Sequence, residues 1–278
     1  MKITKNSIEQ RLLLVLLWGL VLSPLASAQT PLGPRGAGWQ LGIHGGATVA
    51  TPSASFTALP GVDNCIDSGR FDGGSGGGFI AAAVARYIPA EGEGFLSSVA
   101  YGVRIGFAQA TTSFETTERI GSAADEQGRV ESVIAAYTVE TTISTLLVEP
   151  SAQYRIGALD LNLGLSLGYT LGGDFSQSER IASPSDARYA DGTSERNVSA
   201  GSFASDNLSA LRGGVTIGAG YEIAVSPLIT VVPEISYLVA LGSPVRDVDW
   251  SPNELRGGIS ILFAPAPLQS NPLDPKEQ

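Results

Sequence analysis

Acyl-transfer chemistry needs a serine nucleophile, an imidazole base and a carboxylate to orient it, and this chain has one histidine, His44, to supply the base. Serines and acids are plentiful, but no local motif ties any of them to His44, whose neighbours are Gly45 and Gly46. The expectation is therefore a hydrogen-bonding filler and no enzyme, with His44 the one residue through which acyl transfer would have to run. A second concentration of chemistry lies in Asp63, Asn64, Asp67 and Asp72 beside a glycine-rich run. Carboxylates at this density suit a divalent cation, yet Asp63, Asp67 and Asp72 lack the one-three-five spacing and following glycine of a calcium loop. They read as a flexible acidic loop and only weak metal candidates. Gly73–Gly78 has neither the lysine nor the following helix of a phosphate cradle. Cys65 is the only cysteine, which excludes an intrachain disulfide framework. No cofactor is expected.

The elements that position these residues are strands. Along Leu159–Leu171 every odd position is large and apolar and every even one small or polar. Only a two-faced strand has that period. The same alternation recurs around Val99–Phe107, Leu211–Ile223, Ile229–Leu241 and Leu255–Phe263. With three less regular segments it predicts eight strands, at about 38–50, 76–88, 94–110, 130–149, 157–172, 207–224, 228–242 and 250–264. The connections run long and short in turn. An even number of strands joined by short turns at one end and longer loops at the other is the pattern of an up-and-down transmembrane β-barrel. The stretches 51–75, 111–129, 173–206 and 243–249 would then face outward, and each is net acidic.

A soluble lipocalin-like barrel would point the large apolar row inward. The inverse arrangement fits better, because the other row is mostly Gly, Ala, Ser and Thr, which suits an eight-stranded lumen. Mid-strand charges are assigned to that row as well. Arg86, Arg104, Arg212 and Arg256 stand against Glu140, Asp160, Glu222 and Glu234. Four against four is the balance a plugged lumen requires, since buried charges persist only when paired. Aromatic residues fall at two heights: Trp39, Tyr87, Phe95, Tyr154 and Phe263 toward the turns, and Phe79, Phe107, Tyr137 and Trp250 toward the loops. Two such levels read as interfacial girdles.

The ends complete the reading. Lys2, Lys5 and Arg11 precede the apolar run Leu12–Leu22, and Leu25-Ala26-Ser27-Ala28 supplies small residues for cleavage. This is the pattern of a secretory signal peptide over 1–28. It is followed by a periplasmic segment 29–37, the barrel 38–264, and a Pro-rich periplasmic tail 265–278. From Gln29 onward the formal charge is −12, with 14 Lys+Arg against 26 Asp+Glu, and Lys276 is the only lysine. No basic run exists to neutralise phosphates, which excludes nucleic acid as a partner.

The strand pattern over 38–264 resembles the small outer-membrane barrels of the OmpX and OmpA type. It more closely resembles the outer-membrane β-barrel family grouped with PorT-like proteins. The likeness is carried by Phe114-Glu115-Thr116-Thr117-Glu118-Arg119-Ile120, by Tyr221-Glu222, by Pro233-Glu234-Ile235-Ser236-Tyr237 and by Leu255–Phe263. It implies a monomeric integral protein of the bacterial outer membrane, in contact with outer-membrane lipids and threaded through the barrel-assembly machinery during insertion. A structural or surface-recognition role follows for the loops, toward an external ligand that the sequence does not name. A small pore or an accessory barrel of a secretion system is the alternative, and a lipid-modifying enzyme or soluble binder a more remote one. Family members usually end in the aromatic residue that the assembly machinery reads, whereas here Phe263 is followed by fifteen residues.

Overall fold

Period-two segments separated by glycine-bearing turns leave an antiparallel ladder as the economical pairing. The computed structural model of the chain describes residues 37–62, 69–90, 98–124 and 129–264. Twelve strands follow one another: β1 (Gly38–Ala50), β2 (Ser53–Ser55), β3 (Gly74–Ile88), β4 (Val99–Ala124), β5 (Val130–Ile156), β6 (Leu159–Ser183), β7 (Glu195–Ser202), β8 (Leu211–Tyr221), β9 (Ile223–Ala224), β10 (Ile229–Leu241), β11 (Asp249–Ser251) and β12 (Glu254–Phe263). Eight of them, β1, β3, β4, β5, β6, β8, β10 and β12, form a ring of antiparallel neighbours. β12 closes it by pairing with both β10 and β1, from Ile229↔Phe263 on one side to Leu41↔Phe263 on the other. Closure leaves no unpaired edge, which a membrane demands because no water reaches the hydrocarbon to satisfy one. The candidate signal peptide 1–28, the segment 29–36 and the tail 265–278 lie outside the described residues, as do Cys65, Asp63, Asp67 and Phe95.

The alternation sorts the two faces as expected. Every odd residue from Leu159 to Leu171 is exposed, while Asp160, Gly164, Ser166 and Thr170 are buried. This apolar row runs about 40 Å along the strand at ~3.3 Å per residue. It covers roughly 25–30 Å of membrane at the usual tilt, the height of an outer-membrane apolar band. A charge at its centre is therefore costly. Leu165→Arg is expected to destabilise the folded barrel by about 2–4 kcal/mol, and the same change at Leu159 by less, because the penalty falls toward the interface. Urea unfolding in lipid vesicles reads the difference; equal losses at the two positions would contradict a lipid-facing row.

At the short-turn end, Gly157 adopts φ +64° between β5 and β6. A left-handed residue of this kind suits glycine, since a Cβ there is strained. Pro150, which has no N–H to donate, coincides with a gap in the ladder: the β5–β6 partners skip from Val148↔Leu167 to Ser151↔Gly164.

The loop end departs from expectation. Within the stretch 111–129, residues 111–124 are strand and not loop, because β4 continues to Ala124, and β5 begins at Val130. Likewise β6 runs on to Ser183 and pairs with β7, as in Phe175↔Gly201. Thr111, Thr112, Thr116 and Thr117 favour strand in the first stretch; the second is poor in β-branched residues and is held by its pairing, each arm finding a partner beyond the barrel ring. The result is a four-stranded sheet, β4–β5–β6–β7, standing above the barrel. Its inner face, with Phe114, Tyr137, Val139 and Ile143, is covered by residues of the other connections: Phe56, Leu59, Phe71, Leu208, Val245 and Trp250. A second hydrophobic core therefore sits at the loop end of the barrel, a folded cap built from segments read as loops together with the loop-side ends of segments read as strands.

Candidate functional site

Inward-facing charges meet in three groups. Near the turn end, Arg86 of β3 is only 2% exposed. Its guanidinium lies 3.1 Å from Asp160 and 2.6 Å from Glu222. Arg155 of β5 approaches the same two acids at 3.9 and 3.6 Å. At mid-height Arg104 reaches across to Glu234. Farther toward the loops Arg256 holds Glu149 at 2.6 Å and Glu254 at 2.9 Å, and Ser166 donates to Glu149 at 2.9 Å. Arg212 is hydrogen-bonded to the Thr145 hydroxyl. Among the described residues the inward set is five arginines (Arg86, Arg104, Arg155, Arg212, Arg256) and five acids (Glu149, Asp160, Glu222, Glu234, Glu254).

Seven of the eight charges assigned to the lumen from sequence are in this set, and Glu140 is not. Glu140 is exposed on the outer face of the cap sheet, between Ser113 and Ser176. The inward row of β5 is the odd one, Thr141, Ile143, Thr145, Leu147 and Glu149, so Glu149 supplies the acid in its place. Sequence reasoning also missed Arg155, which fell in the expected turn 150–156, and Glu254, which lay within the expected strand 250–264 on the row of Arg256. The parity that finds Glu149 and Arg155 is set by Tyr154 and Ile156, two exposed residues that fix the outer row of β5.

His44 is buried, with its Nδ1 3.1 Å from Ser260 Oγ and 3.8 Å from Glu234 Oε1. Serine, histidine and acid are thus assembled by β1, β12 and β10. The geometry is wrong for nucleophilic catalysis, since serine and carboxylate share one ring nitrogen, whereas activation needs them on opposite ones. The other side of the ring lies on the backbone, and a Cβ at Gly258 would sit 2.5 Å from His44 Cε1. That close approach accounts for glycine at 258 and, with a Cβ at Gly46 3.3 Å from His44 Nε2, at 46.

The aromatic heights divide differently from expectation. Trp39 and Tyr87 are exposed and in contact at a ring separation of 5.3 Å, and Phe263 is exposed at the same end. Phe79 and Phe107 pair at 5.9 Å toward the loops. Tyr137 and Trp250 are not girdle residues: they are 5% and 2% exposed and belong to the cap core. Tyr137 pairs with Thr116, on the part of β4 that runs past its last partner in β3, and Trp250 lies on β11, which pairs with β2 through Trp250↔Ala54. Exposed Tyr169 and Tyr237 stand at the loop-side level instead.

Above the membrane the cap has its own polar centre. Buried Glu179 accepts from Arg196 Nε at 2.9 Å and from its terminal nitrogen at 2.7 Å, and Arg196 stacks 4.4 Å over the Tyr189 ring. Burial first, then the Glu179 carboxylate, raises the Tyr137 phenol well above the ordinary range. The same two causes push Tyr189 up to about 12. Raised phenol values favour the protonated form in the folded cap. Their stabilising contribution is therefore complete below the ordinary phenol value of about 10 and is lost as pH rises toward 12 and beyond. Phenolate absorbance should show a late-titrating fraction that Tyr137→Phe and Tyr189→Phe each reduce; late ionisation unchanged in both variants would contradict this arrangement.

Of the weak metal candidates, Asp72 is described, and it pairs with Arg70 at 3.2 Å on the surface. No group of three or more His, Cys, Asp and Glu side chains able to hold a metal occurs among the described residues.

The family described as "Outer membrane protein beta-barrel domain" matches residues 27–244. No curated protein sequence matches significantly. Among solved structures the chain is similar to Neisserial surface protein A, at 15% identity over 80% of this chain and 96% of that one, with a TM-score of 0.30. It is also similar to Ail, the attachment invasion locus protein of Yersinia pestis, at 13% identity over 82% and 99%, with a TM-score of 0.29. A third similarity is to the outer membrane protease OmpT from Escherichia coli, at 13% identity over 85% and 97%, with a TM-score of 0.26. Likenesses this distant carry no residue of the site across.

Proposed function

The chain belongs to the outer membrane protein β-barrel domain family, and on that premise we propose that it is a closed-lumen barrel that presents a folded recognition surface outside the cell. The observation that carries this reading is the cap. Asn207 donates to the Pro60 carbonyl at 2.9 Å, Leu208 bridges Val245, and β2 pairs with β11, so three separate connections converge on one aromatic core. Flexible loops over an open pore would have no need of a core, and a buried one holds the outer rim in a single shape for contact. The ion-paired lumen beneath supports the same reading, because side chains that meet across a narrow barrel stand in the path a permeant solute would take.

The protein acts without catalysis in this reading, since His44 faces glycine backbone and shares one nitrogen between Ser260 and Glu234. Export proceeds through the signal peptide 1–28, insertion through the assembly machinery, and the closed ring works as a monomer among outer-membrane lipids. The exposed rim is acidic, which directs it toward cationic or neutral partners and away from bare phosphates.

The test is placement and access. The protein is expected in the outer-membrane fraction with a heat-modifiable gel mobility, and an epitope inserted at 125–128, between β4 and β5, is expected to be labelled by antibody on intact cells. An unlabelled epitope on a correctly inserted barrel would overturn the surface role.

A further inference from the structure

The outward row of β4, β5 and β6 continues past the end of its lipid contact. Phe107↔Leu146↔Tyr169 is the last row that is apolar in all three strands, and Gln109↔Ser144↔Gly172 follows it. The register then runs on through Thr111↔Thr142↔Asp174↔Ser202 and Ser113↔Glu140↔Ser176↔Ala200, with β7 as the fourth strand. Alternation keeps these side chains on the face that meets lipid below, while Thr112, Phe114, Val139 and Glu179 are buried on the opposite one. These two rows hold nothing apolar larger than alanine, and neither lysine nor arginine. Thr111 and Thr142 share a hydrogen bond of 2.9 Å, and Ser202 donates to Asp174 at 2.5 Å. Each of these oxygens keeps lone pairs for a further partner.

Height and direction select that partner. At ~3.3 Å per residue the two rows stand roughly 13 and 20 Å along the strand past Phe107, which is about 10–15 Å above it at the usual tilt. A face pointing sideways at that level looks into the headgroup layer of the outer leaflet, which in an outer membrane is made of glycolipid sugars. A ligand arriving from outside meets the top of the cap instead. We propose that the outward face of β4–β7 is a docking surface for these sugar headgroups, continuous with the lipid-facing row beneath it. Hydroxyls and carboxylates at strand spacing offer a polyhydroxylated ligand several hydrogen bonds at once. Its phosphates are not the target, because an acidic face without lysine or arginine repels them. The wall is one-sided, since β8 begins at Leu211, paired with Tyr169 in the last apolar row. The inference rests on the outer-membrane placement of the barrel and not on its binding an external ligand.

Glycolipid retention tests it. The full-length protein is refolded into phosphatidylethanolamine vesicles containing either rough lipopolysaccharide, which carries core sugars, or lipid A, which has the acyl chains and phosphates without the core. After extraction in mild detergent at constant Mg²⁺, bound glycolipid is read by native mass spectrometry. The wild-type protein is expected to retain rough lipopolysaccharide about tenfold better than lipid A, the effect of one or two net hydrogen bonds. Ser113→Ala/Thr142→Val/Ser176→Ala, with folding verified by heat-modifiable mobility, is expected to lose that preference and to retain lipid A as before. Should the variant not fold, the wild-type comparison decides by itself. Equal retention of the two glycolipids by the wild type, a preference undiminished in the variant, or a variant that loses both alike overturns the proposal. Retention is measured on the reconstituted protein, so it succeeds or fails whatever antibody labelling at 125–128 shows on cells.

Discussion

Arg86→Met is expected to destabilise the folded barrel by about 3–5 kcal/mol, the usual cost of removing one partner from a buried ion pair. Arg86 is 2% exposed and faces Asp160 and Glu222 together. Without it both carboxylates depend on Arg155, whose contacts at 3.9 and 3.6 Å are longer. The loss is electrostatic more than steric, because methionine retains most of the arginine stem. Adding Asp160→Asn to Arg86→Met removes one of the two uncompensated charges and is expected to restore part of the stability. Urea titration followed by heat-modifiable mobility measures both effects. A double variant no better than the single one would show that packing, and not charge, is what Arg86 contributes.

The second large effect belongs to the cap. Phe114 is fully buried and packs edge-on against Trp250 at 5.1 Å and Phe56 at 5.0 Å, joining β4 to two of the converging connections. Phe114→Ala is expected to cost the cap about 3–5 kcal/mol, through lost burial and the cavity left behind. The barrel below has its own ladder of hydrogen bonds and lipid contacts, so the loss is local. Limited proteolysis is expected to open new cleavage within 51–73 and 242–253, while the remaining core keeps its heat-modifiable mobility. Loss of barrel and cap together would contradict their being separate cores.

What was legible in the sequence is what period two controls. Leu159–Leu171 shows its faces unambiguously, and from it follow the lumenal position of Asp160 and, by the same logic on β3 and the end of β8, those of Arg86 and Glu222. β5 was not legible in this way. Val139, Ile143 and Leu147 point inward while Leu146 and Val148 point outward, so apolar residues occupy both rows and parity gives Glu140 or Glu149 equal claim. Height was less legible still. Tyr137 and Trp250 resemble girdle residues by distance along the chain, but where a strand leaves the membrane depends on tilt and on partners beyond it. The cap depends on contacts such as Phe56 with Phe114 and Asn207 with Pro60, distant in sequence and without period. For the same reason the meeting of His44, Ser260 and Glu234 could not be seen in advance: three strands far apart in the chain bring them together.

The central claim is that the lumen is closed, by paired charges below and a folded cap above. Reconstitution of the full-length protein in planar bilayers tests it most directly. The account predicts a folded, heat-modifiable barrel that gives no stable unit conductance at either polarity; reproducible unit steps from the wild-type protein would contradict it.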